Sequence, residues 1–156
     1  MRMLGVDAGR RRIGLAVSDD SSTLARPWQT IDAGPTPKVS AERIAALLDR
    51  ERRATLDDFT VGGIVVGLPR RLNGADTDAT AGARALAAAL GARTGLAVTL
   101  QDERLTSREA EAILARREPD WRERKKLIDA AAAAIVLQDY LDRPERQPPA
   151  GEGTVE

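Results

Sequence analysis

Leu4-Gly5-Val6-Asp7-Ala8-Gly9-Arg10-Arg11-Arg12-Ile13-Gly14-Leu15-Ala16-Val17-Ser18 is the stretch on which the fold turns. Residues 3–7 and 13–19 read as strands, the second alternating Ile13, Leu15 and Val17 against Gly14, Ala16 and Ser18. The turn from Gly9 to Arg12 makes them a hairpin. A third strand over 24–32 follows, and Pro27 confines it to a sheet edge or an irregular start, because proline has no N–H to give a ladder. After the loop Asp32 to Pro37 the pattern changes to alternating helices and strands. Residues 39–53 place Val39, Ile44, Leu47 and Leu48 on one side of a helix.

Ile64-Val65-Val66 is a continuous apolar run, which suits a strand covered on both faces, stopping at Gly67-Leu68-Pro69. A polar loop runs through Asn73-Gly74, an alanine-rich helix covers 78–93, and Gly95 stops it. Val98 to Leu100 is the next strand. Thr106 then opens a helix with Glu109 three positions on, the capping-box arrangement. Residues 116–123, holding Pro119, read as a loop, and 124–142 as a last helix ended by Pro144. Three leading strands followed by this alternation predict an α/β domain over residues 1–142. Its five-stranded mixed sheet has the leading strands antiparallel and the later strands parallel to the first, with helices flanking it. The tail 143–156, with Pro148, Pro149 and Gly151, is expected to be disordered.

This topology gathers acidic residues that are distant in sequence. Asp7, Gly67 and Glu103 fall at the carboxyl ends of neighbouring parallel strands, the edge where open α/β sheets bind ligands. Asp129, in Leu127-Ile128-Asp129-Ala130-Ala131-Ala132-Ala133-Ala134-Ile135, interrupts the apolar face of the last helix. The alanines let that helix approach closely. A carboxylate in such a place costs free energy unless a cation or partner compensates it. Three converging would suit one or two magnesium ions and phosphodiester cleavage. Each residue also has a plainer reading. Asp7 could tie the Gly9 or Arg10 amides of the turn. Glu103 could pair with Arg104, and Asp102 is its rival, since alternation lets only one of the two face the site. Asp129 could form a buried salt bridge with Lys125.

Composition narrows the chemistry. The 156 residues contain no histidine and no cysteine, so imidazole bases, cysteine nucleophiles, thiolate metal sites and disulfides are excluded from this sequence. The net charge is +0 and 42% of residues are apolar, in keeping with a single soluble domain. No apolar run reaches the length of a membrane span, and Asp7 with the arginines breaks any signal-peptide pattern, so a cytoplasmic protein is expected. Local basic clusters remain. Arg10, Arg11 and Arg12 in the first turn, Arg70, Arg71 and Asn73 after the fourth strand, and Lys125 and Lys126 are candidate nucleic-acid contacts, although each can also be a solvated face. Trp28 and Trp121 could stack bases, but with 3% aromatic content core packing is the safer reading.

The segments DAGRRRIG (7–14), ARPWQTI (25–31), IVVGLPRRLNG (64–74), DERLTS (102–107) and KKLIDAAAAAIVLQDYL (125–141) resemble, in order, the YqgF/RuvX family. The family comprises RNase H-like proteins described as pre-16S rRNA nucleases and as Holliday junction resolvases. The resemblance covers roughly residues 1–142 and departs at Ala8, where a bulkier residue is common. It implies an RNase H-like fold, with Asp7, Glu103 and Asp129 as catalytic residues holding one or two Mg²⁺ or Mn²⁺ ions. It further implies nucleic-acid contacts that extend to Arg104, and a pre-16S rRNA or pre-ribosomal partner for a monomer or homodimer. A branched-DNA resolvase, a catalytically silent nucleic-acid-binding domain and an actin- or sugar-kinase-like nucleotide binder are the alternatives.

Overall fold

The computed structural model describes residues 1–71, 73–103 and 121–143, the side chains of 121–127 excepted. Strands β1 (Arg2–Ala8), β2 (Arg12–Ser18) and β3 (Ala25–Asp32) come first. Helix α1 (Pro37–Ala54), β4 (Val61–Pro69), α2 (Asp78–Thr94), β5 (Val98–Glu103) and a late helix, α3 (Trp121–Leu141), follow. The five strands lie in the order β3-β2-β1-β4-β5. Strand β1 is antiparallel to β2 and β2 to β3, whereas β4 runs parallel to both β1 and β5. This is the mixed sheet that the alternation of the sequence predicts.

Pro27 sits on the outermost strand, as its missing N–H requires. Leu15 pairs with Gln29 and Ala16 with Pro27, so Trp28 is an extra residue that bulges out of register. Its ring packs on Phe59, with centroids 5.3 Å apart. Strand β4 is longer than its apolar centre suggests and runs on through Gly67 and Leu68 to Pro69. Helix α1 starts two residues earlier than its apolar spacing suggests. Thr36 is its N-cap, accepting from the Val39 amide at 3.2 Å, and Pro37 occupies the first turn, where no N–H is needed. Thr77 and Thr80 form a reciprocal capping box on α2, and Gly95 ends it at φ +72°. Helix α3 begins at Trp121, so the expected loop over 116–123 gives up its last three residues to the helix.

Period-two alternation builds two different faces. Leu4, Val6, Ile13, Leu15, Val17, Ile64, Val66 and Leu68 point one way, into a core closed by Ile44 of α1 and Leu86 and Leu90 of α2. The opposite face presents Met3, Gly5, Gly14, Ala16, Val65 and Gly67, and α3 lies directly on it. Small residues on both sides make this contact close. A Cβ at Gly5 would stand 2.9 Å from the Ala133 carbonyl oxygen, and one at Gly14 would stand 1.8 Å from that of Asp129. Ala130, Ala131, Ala132 and Ala133 of α3 are all buried. The helix therefore rests on bare backbone at Gly5 and Gly14 as well as on the side chains of Met3, Ala16 and Val65, and the glycines set how closely it approaches.

Candidate active site

Three strand ends and one helix build the site. Asp7 shares the face of Met3 and Gly5 by alternation along β1, so its carboxyl points toward α3. Glu103 reaches the same face from β5. Its Oε2 lies where a Gly67 side chain would be, 2.3 Å from the Cβ position, so the absence of a side chain on β4 is what makes room for it. Asp102 is out of phase by one residue and is exposed. The structure thus brings Glu103, not Asp102, to Asp7. Asp129 arrives from α3, its backbone pressed against Gly14.

Crowding acids changes their protonation. Burial pushes the Asp7 carboxyl up from 3.8 to about 6, opposed by a hydrogen bond with Glu103 and reinforced by the charge of Asp129. Burial, with the Asp7 charge and hydrogen bond added, pushes Glu103 from 4.5 to about 9. The directions define the pair: Glu103 carries the proton and donates it to the Asp7 carboxylate. Glu103 Oε2 is nevertheless buried without a hydrogen-bond partner. Asp129 Oδ2 lies 3.1 Å from Arg12 Nε, an ion pair whose geometry does not complete a hydrogen bond. Among the described residues no three carboxylates stand around one point in ready-made ligand geometry. The shared proton draws two of the acids together, and Arg12 holds the third. Buried carboxylate oxygens without hydrogen bonds are what a hard divalent cation would satisfy, so the donor chemistry suits Mg²⁺ or Mn²⁺.

A pH signature follows from this arrangement. Both carboxyls hold protons in the folded chain at pH values where the unfolded chain has lost them. Their contribution to stability is therefore complete below about pH 4, and it is lost as the pH climbs through about 6 and then about 9. The melting temperature of the protein in a chelator is expected to fall over that window, and Asp7→Asn should flatten the fall. A melting temperature that rises from pH 5 to 9 would contradict the shared proton.

The basic candidates divide. Arg10 and Arg11 are exposed in the β1–β2 turn, which closes through Gly9 N–H to Arg12 C=O at 2.9 Å. Arg12 is committed to Asp129, an ion pair across two elements, while the expected pairing of Asp129 with Lys125 falls on a side chain outside the described residues. Arg70 is held by Asp76, Nε to Oδ1 at 3.3 Å. Arg71 is exposed beside it, and Arg10 and Arg71 flank one cleft. Asn73 uses its Oδ1 to accept the Ala75 amide at 2.9 Å, an ordinary turn contact. Arg104, Thr106 and the side chains of Lys125, Lys126 and Trp121 lie outside the described residues. Two contributors went unremarked in the sequence. Gly14 seats Asp129, and Gln101 lies in phase with Glu103, with a buried, unpartnered Oε1. Strand parity could have found the second.

Fold and site together define the class, an RNase H-like α/β domain with acidic residues at the carboxyl edge of its parallel strands. The fowlpox virus Holliday junction resolvase has the same fold, with a TM-score of 0.51 at 13% identity, covering 90% of this chain and 97% of that one. The family model described as "RuvX: Holliday junction resolvase" matches residues 1–143, and the chain belongs to that family. A relative from Pelotomaculum thermopropionicum is 38% identical over 150 residues, covering 94% of this chain and 92% of its own length. One from Anaeromyxobacter dehalogenans is 43% identical over 143 residues, covering 92% and 98%. Both carry the name "Putative pre-16S rRNA nuclease". Among the described residues no helix is long and apolar enough to cross a membrane.

Proposed function

We propose that this chain is a metal-dependent nuclease acting on the 5′ region of pre-16S rRNA. The observation that carries the reading is the meeting of Asp7, Glu103 and Asp129 at one sheet edge, with buried carboxylate oxygens of Glu103 and Asp129 left without hydrogen bonds. The names of the relatives supply pre-16S rRNA as the substrate, and the 5′ region is what the family resemblance implies. Asp7, Glu103 and Asp129 would hold one or two Mg²⁺ or Mn²⁺ ions, displacing the shared proton and drawing Asp129 from Arg12. When bound, the ions supply the positive charge that activates water and steadies the charge developing on the phosphate oxygens. Arg12, once released, faces the same edge with its charge free for a phosphate. Arg10 and Arg71 flank the adjoining cleft and orient the backbone. With no histidine in the sequence, proton transfer falls to the carboxylates and to water.

The test is cleavage of a 5′-extended 16S precursor segment with Mg²⁺ or Mn²⁺, against a four-way DNA junction. Cutting of the precursor alone supports the reading. Cutting of the junction alone would favour the resolvase activity that the family model's description names. Tight binding of RNA without cutting would favour a silent binding domain. Within the site, Glu103→Gln is expected to lower cleavage about a hundredfold or more, equivalent to about 2.7 kcal/mol. Asp102→Asn should change it less than about threefold. Equal losses in both would contradict the assignment by strand phase.

A further inference from the structure

We infer that a phosphodiester backbone leaves the catalytic edge along an arginine track on α1, in the groove between that helix and edge strand β3. Arg43, Leu47, Arg50 and Arg53 recur at helical spacing on one line of α1 and, with Ile31 and Asp32 of β3, line a groove of about 600 Å³. None of the candidate contacts named so far lies there. The track begins at the site. Asp32 is the register partner of Arg12, the residue that holds Asp129, and the Ala33 amide donates to the Arg11 carbonyl at 2.8 Å. Because β3 ends at the catalytic edge, α1 starts there and runs back down the side of the molecule.

The charges on this line are uncompensated. Among the described residues no carboxylate pairs with Arg43, Arg50 or Arg53. Arg52, one residue off the line, is held by Asp49 at 3.6 Å and Asp57 at 3.5 Å. Arg43 donates through Nη1 to the Asp32 carbonyl at 3.1 Å, and Arg53 through Nε to the Asp49 carbonyl at 3.3 Å. Each guanidinium is thereby steadied and keeps further N–H groups for an anion. Asp32 is the groove's one carboxylate, set against three cations. Ten residues of helix span about 15 Å, room for about three consecutive phosphates of one strand, whose spacing along the backbone exceeds the rise of about 3.4 Å per phosphate along a duplex axis. A polyanion of regular spacing fits this geometry, lying over an apolar floor at Ile31 and Leu47.

The inference rests on the nucleic-acid reading above, but its test needs no cleavage. Binding of a labelled RNA stem of about 20 base pairs and one of about 6 would be followed by fluorescence anisotropy over a range of salt. The Arg50→Ala/Arg53→Ala variant should bind the long stem about tenfold more weakly at low salt, its log–log salt slope shallower by about 1.5. The short stem should be unaffected, a DNA duplex of the same length should lose as much as the RNA, and Arg50→Lys/Arg53→Lys should recover most of the loss. Arg52→Ala serves as the off-track control. Thermal melts run alongside, because cations near a helix C-terminus also stabilise it. An unchanged slope, with or without a lowered melting temperature, would overturn the track, as would equal losses for the short stem or for Arg52→Ala. Failure of the nuclease reading is a separate result, seen as absence of Asp7-dependent cutting by the unaltered protein.

Discussion

Asp7→Asn is expected to abolish cleavage, by at least about a hundredfold or 2.7 kcal/mol, while leaving RNA affinity within about twofold and the fold more stable above neutral pH. The two halves of this expectation come from one fact. Asp7 is buried beside Glu103 and near Asp129, so its negative charge is unfavourable in the chain alone and is useful only when a cation neutralises the site. Asparagine keeps the shape and a hydrogen-bond partner for Glu103 but removes the charge that a hard cation needs. Activity and stability therefore move in opposite directions. The checks are cleavage rates, anisotropy and thermal melts in chelator at about pH 8. If the variant were both inactive and markedly less stable, Asp7 would be a structural turn residue, the plainer reading of Asp before a glycine turn.

Gly14→Ala carries the second large effect, and it is mechanical. The added Cβ would lie 1.8 Å from the Asp129 carbonyl oxygen and 2.8 Å from the Ala130 amide nitrogen. Both are backbone atoms of a helix, which cannot rotate away as a side chain could. Either α3 lifts off β2 or the strand bends, and overpacking of this kind costs about 3 kcal/mol or more. Lifting α3 withdraws Asp129 from the edge, so activity should fall with stability. Gly82→Ala on the exposed face of α2 meets nothing within 4 Å. There the same change should raise stability by about 0.5–1 kcal/mol through helix propensity. Chemical denaturation of the two variants gives the comparison. A Gly14→Ala protein as stable as the parent would mean that α3 does not rest on β2 as closely as described.

How far the sequence could be read depended on the kind of information each feature carries. Strand alternation in Ile13-Gly14-Leu15-Ala16-Val17 states two faces outright, one for large side chains and one for close approach. Both faces are in the structure. The parallel order of β1, β4 and β5 follows from helical crossovers, and this places Asp7 and Glu103 on one edge from the sequence alone. What the sequence could not give was pairing between distant residues. Asp129 meets Arg12 of β2 because the seating of α3 on Gly14 brings that cation within reach. Nor could residue type alone separate arginines already matched by acids, such as Arg52 and Arg70, from those left open on α1. The start of α3 at Trp121 escaped for a local reason. Proline at 119 disfavours a continuing helix but is compatible with one beginning just after it.

The misaligned stretch of β3 has a consequence for how the protein behaves in a crowded solution. A sheet that ends in a straight, unbroken strand offers a row of unsatisfied amides and carbonyls on which a second chain can lay itself down. Here that row is broken at its middle. Pro27 contributes no amide, Trp28 stands out of the ladder, and Arg26 puts an exposed charge alongside. An incoming strand would find neither a continuous line of partners nor an uncharged approach. The outer rim is thereby blunted against self-assembly, and the feature that marked this strand as irregular in the sequence keeps neighbouring molecules from zipping together.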